Sequence, residues 1–322
     1  MVHAAAVPYN NVVSEYQGQH PCDNPIQRRE WRALSDDEKG EYIDAVKCLQ
    51  SKAPYNTTIK AAKSRFDEFQ SFRITIADDV HFVGQFLPWH RLFVRNYEKA
   101  LRDEYWDWTL DSKTPEDYIN SPVWDPITGF GPNGVPGTYT LPPFTNDSRI
   151  FPDAFRGCVQ DGPFANYTLS LGPGKLVTEH CLVRGFNTTA ATRYLTPEQV
   201  ANTTKQETFE TFRIELEGGD QTPDRKIHDG GHISVGGDGS NFLEIRVLGV
   251  SSFYPQPFLS TSDLNLNIAP YAADPIFYLH HTNLDRIWWI WQNLSPSHLY
   301  EISGSSSVTN PTAPNVHWTL RF

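Results

Sequence analysis

The feature that most constrains the fold is a group of histidines placed inside helical hydrophobic patterns. In the stretch after Asp274-Pro275, apolar and aromatic residues recur at three- and four-residue steps, and His281 lies in the middle of that stripe. His228 and His232 are four residues apart, so they share one face if this stretch is helical. Inward-facing imidazoles on several helices predict a mainly α protein, a four-helix bundle that holds a site in its core.

Three more helices are predicted in the N-terminal third of the chain. Ser35 and Glu38 form a capping box at the start of the first helix. The second is predicted from Lys60 to about Phe72, and the third from about Pro88 to Glu104. The residues predicted to face the core are Tyr42, Val46, Leu49, Phe66, Phe69, Leu92, Tyr97 and Leu101.

The middle of the chain has weaker patterns. Residues 109–205 are rich in Pro, Gly, Thr and Asn, which predicts long irregular loops with scattered short elements and little β structure. Helical character returns over 197–216. Thr222-Pro223 and Asp274-Pro275 each offer a capping residue followed by a proline at the first helical position.

Charge and hydropathy exclude several classes of partner. The formal net charge is −11, whereas nucleic acids and anionic membranes require a basic surface. No apolar run approaches the roughly 20 residues that a membrane-spanning helix needs. We therefore expect neither a nucleic-acid partner nor a membrane span.

Glycosylation motifs and cysteines favour the secretory pathway. Four cysteines allow three pairings, of which Cys22–Cys48 with Cys158–Cys181 is the simplest. The alternative is a cytosolic protein with four buried thiols. The N-terminus has no apolar signal segment, and Met1 is interpreted as a start that follows a removed signal peptide. Six N-x-S/T motifs begin at Asn56, Asn146, Asn166, Asn187, Asn202 and Asn293.

The histidine pattern predicts a metal centre. His228, His232 and His281 would form a three-histidine site with an open position, which is typical of catalytic or small-molecule-binding sites. His81 and His90 could build a second, facing site. Imidazoles suit Zn, Cu, Fe or Ni, and the pattern does not choose among them. Each histidine taken alone is more ordinary as a hydrogen-bonded core or surface residue. The remaining six are interpreted in that way: His3, His20, His180, His280, His298 and His317. Among these, His280 adjoins His281 and is also placed to support a ligand.

Four segments carry a specific resemblance. FLPWHR, YWDW, HDGGHISVGG and DPIFYLHHTNLDRIWWIW resemble hallmark segments of the tyrosinase and hemocyanin family, the type-3 copper proteins. The likeness extends from Cys22 to Trp291 and is closest to the short fungal forms. It implies one tyrosinase-like central domain over residues 1–322, without a C-terminal shielding domain. It also implies a four-helix bundle with two metals, each held by three histidines, that bind oxygen between them.

The resemblance implies ligands for only part of that arrangement. The second metal's ligands correspond to His228, His232 and His281, and two of the first metal's ligands correspond to His81 and His90. The position of the first metal's remaining ligand holds Arg73, and no histidine lies between His20 and His81. A guanidinium stays protonated and cannot coordinate a cation.

Three smaller departures from the family pattern accompany Arg73. Asp79 stands where some members have a cysteine that is cross-linked to a histidine, so this thioether is absent. Asp229 stands where phenol-hydroxylating members often have asparagine. The segment between Asp103 and Tyr105 is shorter than usual.

These departures predict one zinc ion per chain and no coupled two-copper chemistry. Within the family, the chain most resembles the zinc-dependent cyclopenases of fungal quinolone alkaloid pathways. The resemblance implies conversion of a cyclopenin-type benzodiazepinedione epoxide to a viridicatin-type quinolone, with loss of methyl isocyanate. Arg73, with His81 or His90, would donate hydrogen bonds to developing negative charge. Asp229 or Asp79 would transfer a proton or orient a ligand.

Two other functions stay open from the sequence. One is a copper-dependent catechol oxidase or tyrosinase with an altered first site, in which Arg73 is an incidental substitution. The other is a non-catalytic, hemocyanin-like binding protein. The expected partner in the first interpretation is a small aromatic alkaloid substrate, and the oligomeric state is not predicted.

Overall fold

The computed structural model describes residues 27–56, 60–101, 104–142, 153–172, 177–218, 225–240, 273–308, 310, 312–316 and 318–319. Within this part the protein is mainly α, as predicted. Its helices are α1 (Asp36–Ser51), α2 (Arg65–Val80), α3 (Phe86–Ala100), α4 (Pro115–Ile119), α5 (Thr188–Tyr194), α6 (Pro197–Thr204), α7 (Phe209–Glu217), α8 (Ile227–Val235) and α9 (Ile276–Gln292).

The β structure consists of short antiparallel pairs. Strand β1 (Gly157–Cys158) pairs with β4 (Val183–Arg184), β2 (Thr168–Leu169) with β3 (His180–Cys181), and β5 (Glu301–Ile302) with β6 (Trp318–Thr319). In the first pair Gly157 lies opposite Arg184, and in the second Thr168 lies opposite Cys181. Each of these strands has two residues, so the pairs connect neighbouring loops by backbone hydrogen bonds and do not form an extended sheet.

Helix α1 forms as its sequence predicts. The Ser35 hydroxyl accepts from the Glu38 amide, and the Glu38 carboxylate accepts from the Ser35 amide. Both bonds satisfy amides that have no partner inside the helix. The predicted inward residues Tyr42, Val46 and Leu49 are buried.

Helix α2 begins and ends later than predicted. Ser64 and Asp67 form its capping box, and the helix continues past Phe72 through Arg73 to Val80. The β-branched run from Ile74 to Ile76 weakens the local preference for a helix, but burial of the inner face outweighs that small cost. The extension puts Arg73 inside the bundle.

Helix α3 begins and ends earlier than predicted, at Phe86 and Ala100, and it differs from the prediction in one inward residue. Tyr97 and Leu101 are buried, but Leu92 is 66% exposed. The helix instead turns Phe93 and Val94 toward the core. The prediction for Leu92 was therefore wrong by one position, because spacing alone does not set the rotation of a helix about its axis.

The described part of the region 109–205 holds α4, α5, α6, strands β1 to β4 and long loops, as predicted. The helical stretch predicted over 197–216 is two helices, α6 and α7, with a break between them where Thr208 caps the second. The predicted start at Thr222-Pro223 lies outside the described residues. A disulfide joins Cys158 to Cys181, as expected. Cys22 lies outside the described residues, and Cys48 is exposed.

Helices α2, α3, α8 and α9 surround the site: α3, α8 and α9 carry inward histidines, and α2 carries Arg73 and ends directly before His81. Aromatic side chains fill the space between them: Tyr97 of α3 stacks on Tyr278 of α9 with ring centroids 3.4 Å apart. Asp274 fixes the start of α9, because its carboxylate accepts from the Ile276 amide and forms a buried, two-pronged ion pair with Arg184. Among the described residues, no helix is long and apolar enough to span a membrane.

Candidate metal centre

Helices α8 and α9 bring three imidazoles to one point. His228, His232 and His281 each offer one ligand atom, and these atoms all lie within 4.8 Å of one another. All three side chains are buried. The four-residue spacing of His228 and His232 puts both on the inner face of α8, and His281 approaches from α9. The structure thus assembles the three residues whose role as metal ligands was predicted from the sequence.

Hydrogen bonds orient two of these rings. His232 Nδ1 donates to the Gly239 carbonyl at 3.0 Å, which leaves its Nε2 with a lone pair 3.2 Å from His281 Nε2. His228 Nδ1 lies 3.1 Å from the Asp229 carboxylate, and Arg225 lies 3.7 Å from the other oxygen of that carboxylate. Asp229 thus orients a candidate ligand, one of the two roles expected for it.

The three rings fit a metal ion. His228 Nε2 is buried, and no described residue forms a hydrogen bond with it. Because His232 donates from Nδ1, its Nε2 accepts from His281 Nε2–H, and an ion held by both rings would displace that proton. Burial, followed by the charges of neighbouring histidines, lowers the pKa of His228 well below its usual value. Burial also lowers the pKa values of His232 and His281, so all three are in the neutral form that metals bind.

His81 and His90 face this group from the opposite side. The His90 ring stacks on that of His281 with centroids 4.5 Å apart, and the His81 and His228 centroids are 5.7 Å apart. Burial, followed by the charge of Arg73, lowers the pKa of His81 to about 3. The pKa of His90 is also lowered, mainly by burial. Both rings are therefore neutral.

The hydrogen bonds of His81 and His90 revise their expected role. His81 Nδ1 donates to the Ala77 carbonyl at 2.9 Å, and His90 Nδ1 donates to the Phe86 carbonyl at 2.8 Å. A neutral imidazole that donates from Nδ1 has only a lone pair on Nε2. Each Nε2 is buried and has no hydrogen-bond partner within the part of the chain that the structure describes. These two residues can accept hydrogen bonds in the site, but they cannot donate them as expected.

Arg73 is fully buried among the same side chains. Its guanidinium carbon lies 4.0 Å from the centroid of the Phe277 ring, which in turn lies 4.2 Å from the ring of His281. The positive charge contributes to lowering the pKa values of His81, His90, His232 and His280. A fixed cation at this place opposes the binding of a second cation beside His81 and His90.

Asp79 does not belong to the site. Its side chain is exposed near the end of α2, outside the buried histidine cluster. The exposed position gives no support to the proton-transfer role considered for Asp79, and that role stays a prediction.

Two residues near the site were missed from the sequence. Glu217 at the end of α7 is fully buried, accepts from the Phe82 amide at 2.7 Å, and pairs with Arg213 at 3.1 Å. Burial raises the pKa of Glu217 to about 8, although Arg213 acts in the opposite direction. Phe82 has a positive φ of 58° directly after His81, so Glu217 supports the turn that places this histidine. Trp108 is the second missed residue, because its indole contacts His280.

Comparison with known proteins agrees with this geometry. Residues 63–294 match the family described as the common central domain of tyrosinase. The chain belongs to the tyrosinase family. A polyphenol oxidase from Thermothelomyces thermophila, solved as a single-residue variant, is 32% identical, with a TM-score of 0.72 over 92% of this chain and 81% of that one.

Among tyrosinase-family relatives, the Tyrosinase-like protein phomQ1 of Diaporthe leptostromiformis is 34% identical over 308 residues. The match covers 88% of this chain and 66% of that protein, so the chain spans about two thirds of this relative's length. Tyrosinase ustQ of Aspergillus flavus is 30% identical over 312 residues, which cover 89% of this chain and 72% of the relative.

Proposed function

We propose that this chain is a single-metal, zinc-dependent enzyme of fungal secondary metabolism that catalyses a reaction without net oxidation. The observation that carries the proposal is Arg73, a buried cation inside the histidine cluster at the position of a family ligand. Oxygen binding between two coppers requires two filled sites, as the family resemblance implies. A guanidinium supplies no lone pair and repels a cation, so one half of that centre is lost.

The remaining three histidines support zinc. Three neutral imidazoles with an open position are a common ligand set for catalytic zinc. Such an ion, when bound, supplies a Lewis acid that polarises a substrate oxygen. The proposed reaction is the ring contraction of a cyclopenin-type benzodiazepinedione epoxide to a viridicatin-type quinolone. Methyl isocyanate leaves and is hydrolysed to methylamine and carbon dioxide, and no oxidant is consumed.

The side chains around the open position have complementary roles toward such a substrate. Arg73 donates hydrogen bonds to a substrate oxygen that gains negative charge. His81 Nε2 and His90 Nε2 accept from a substrate N–H or O–H, since neither atom has a hydrogen-bond partner among the described residues. Asp229 holds the His228 ring. The buried ring of Phe277, between Arg73 and His281, helps to exclude water from this region.

A copper-dependent catechol oxidase or tyrosinase with an altered first site is the second candidate. The observation that favours it is the geometry of His81 and His90, because each donates from Nδ1 and its Nε2 lone pair, which could bind a metal, accepts no hydrogen bond from the described residues. The names of the relatives, a polyphenol oxidase and a tyrosinase, point in the same direction.

The two functions are distinguished by testing cyclopenin in the absence of oxygen and catechol in its presence. The zinc-loaded full chain is incubated with cyclopenin without oxygen, and the quinolone and methylamine are measured by mass spectrometry. Their formation supports the proposal. Oxygen uptake on catechol by the copper-loaded chain, without turnover of cyclopenin, overturns it in favour of the oxidase. Metal binding without turnover of either substrate overturns it in favour of a hemocyanin-like binding protein.

A further inference from the structure

We infer that His280 is a positioning residue that sets the spacing of helices α8 and α9 and thereby holds the metal ligands together. His280 precedes the candidate ligand His281 on α9 and is buried. Its ring does not point at the ligand atoms of the candidate centre, and both of its nitrogens are engaged elsewhere. The inference rests on the proposed metal centre only for the identity of its ligands.

The hydrogen bonds of His280 define a single tautomer. Trp108 Nε1 lies 3.2 Å from His280 Nδ1, and an indole nitrogen can only donate. His280 Nδ1 is therefore the acceptor, and the ring proton is on Nε2. That proton is donated to the main-chain carbonyl of His228, 3.1 Å away. Trp108 thus orients the His280 ring, which donates a hydrogen bond to the backbone of α8 at the candidate ligand His228.

The close approach of the two helices depends on Gly231. A Cβ atom at this position would lie 2.1 Å from His280 Cε1 and 2.4 Å from His280 Nδ1, so any side chain would collide with the ring. The His280 ring also lies close to the His232 ring, with centroids 4.8 Å apart. The His280 imidazole therefore fills the space between the two helices and opposes a shift of α8 along α9.

This arrangement differs from the usual support of a metal-binding histidine, in which a partner orients the ligand through its other ring nitrogen. Here the support acts on the main chain of His228 and, through the peptide bond, on His281. Loss of the His280 bonds frees α8 to move relative to α9. Such a movement separates His228 and His232 from His281, so the affinity for the ion falls.

The test is the zinc affinity of the full chain, measured by competition with a chelator of known affinity. We expect His280→Phe to raise the Kd for zinc about 10- to 100-fold, the range found when groups that support metal ligands are lost. Trp108→Phe is expected to have a smaller effect of the same sign. His298→Phe is the matched control, because His298 is stacked on Trp291 at 4.0 Å and bonded to a backbone carbonyl away from the cluster. A Kd for His280→Phe within about threefold of the wild type overturns the inference.

A double-mutant cycle distinguishes a specific coupling between His280 and Gly231 from a general loss of folding. Gly231→Ala is expected to weaken zinc binding in the wild type, but to have little further effect in His280→Ala, where the added Cβ has room. Additive losses, or a lower melting temperature with unchanged zinc affinity in both single variants, would overturn the positioning role. The number of ions per wild-type chain tests the proposed function separately. Two bound coppers would refute that function, whereas the positioning role of His280 would still be tested by the ratio of the variant Kd to the wild-type Kd.

Discussion

Arg73 lies over the ring of Phe277, with its guanidinium carbon 4.0 Å from the ring centroid, inside a cluster of buried histidines. A cation against an aromatic face is favourable, and it is more so when both groups are removed from water. The contact places the positive charge next to the candidate metal ligand His281, whose ring is 4.2 Å from that of Phe277. This relationship distinguishes the chain from a symmetric two-metal centre.

Replacing Arg73 by histidine tests whether the arginine determines the number of metals. Arg73→His removes the charge and supplies a third imidazole beside His81 and His90, so the ratio of copper to chain should rise from one to two. The measurement is mass spectrometry of metals in dialysed protein. The control is Arg73→Gln, which removes the charge without adding a strong ligand and should stay at one metal. A count of one in Arg73→His would show that another feature closes the first site.

Zinc should stabilise the wild-type chain through three particular histidines. An ion that binds only the folded state adds about 2.7 kcal/mol when its free concentration is 100 times its Kd. Thermal unfolding with and without zinc should therefore show a clear increase in Tm. His232→Ala removes one ligand and should abolish that increase, while His298→Ala should keep it. An equal increase in both variants would place the ion elsewhere.

Asp229 should act by orienting His228. Asn keeps an oxygen that accepts from His228 Nδ1, so Asp229→Asn should change the Kd for zinc by less than about tenfold, whereas Asp229→Ala should raise it about 10- to 100-fold. The dependence of kcat/KM on pH should keep its shape in Asp229→Asn. Loss of one limb of that profile in the Asn variant would instead identify Asp229 as the proton-transfer group.

Glu217 should make the stability of the fold depend on pH. Burial raises its pKa from 4.5 to about 8, so the folded chain binds this proton more tightly than the unfolded chain does. Its contribution to the free energy of unfolding is therefore full below pH 4.5 and is lost as pH rises toward 8. Urea unfolding between pH 5 and 8 should show a smaller decline in Glu217→Gln than in the wild type. Parallel declines would mean that Glu217 stays ionised in the fold.

Local patterns predicted the parts of the structure that depend on neighbours in the chain. The capping box at Ser35 and Glu38 needs only a short stretch of sequence, and so does the shared face of His228 and His232. The meeting of these two with His281 depends on how α8 and α9 pack. It was expected from the bundle and from the family resemblance, because spacing within one helix does not determine its partner.

The features that were missed depend on the rotation and packing of whole helices. Leu92 is exposed because α3 turns Phe93 inward, and hydrophobic spacing permits either residue. Glu217 is buried beside Arg213 of the same helix and the distant Phe82 amide, and an Arg–Glu pair at i, i+4 does not by itself distinguish a buried pair from an exposed one. A supporting role for His280 was predicted from its place beside His281, but its partner Trp108 was missed because it is 172 residues away along the chain.

The central claim is that this chain holds one metal ion because Arg73 replaces a ligand. The most direct measurement is the metal content of the full wild-type chain after exposure to excess zinc and copper and removal of loosely bound ions. One ion per chain, lost in His232→Ala and unaffected by His81→Ala, is the predicted result. Two coppers per chain, with oxygen uptake on catechol, would contradict the account.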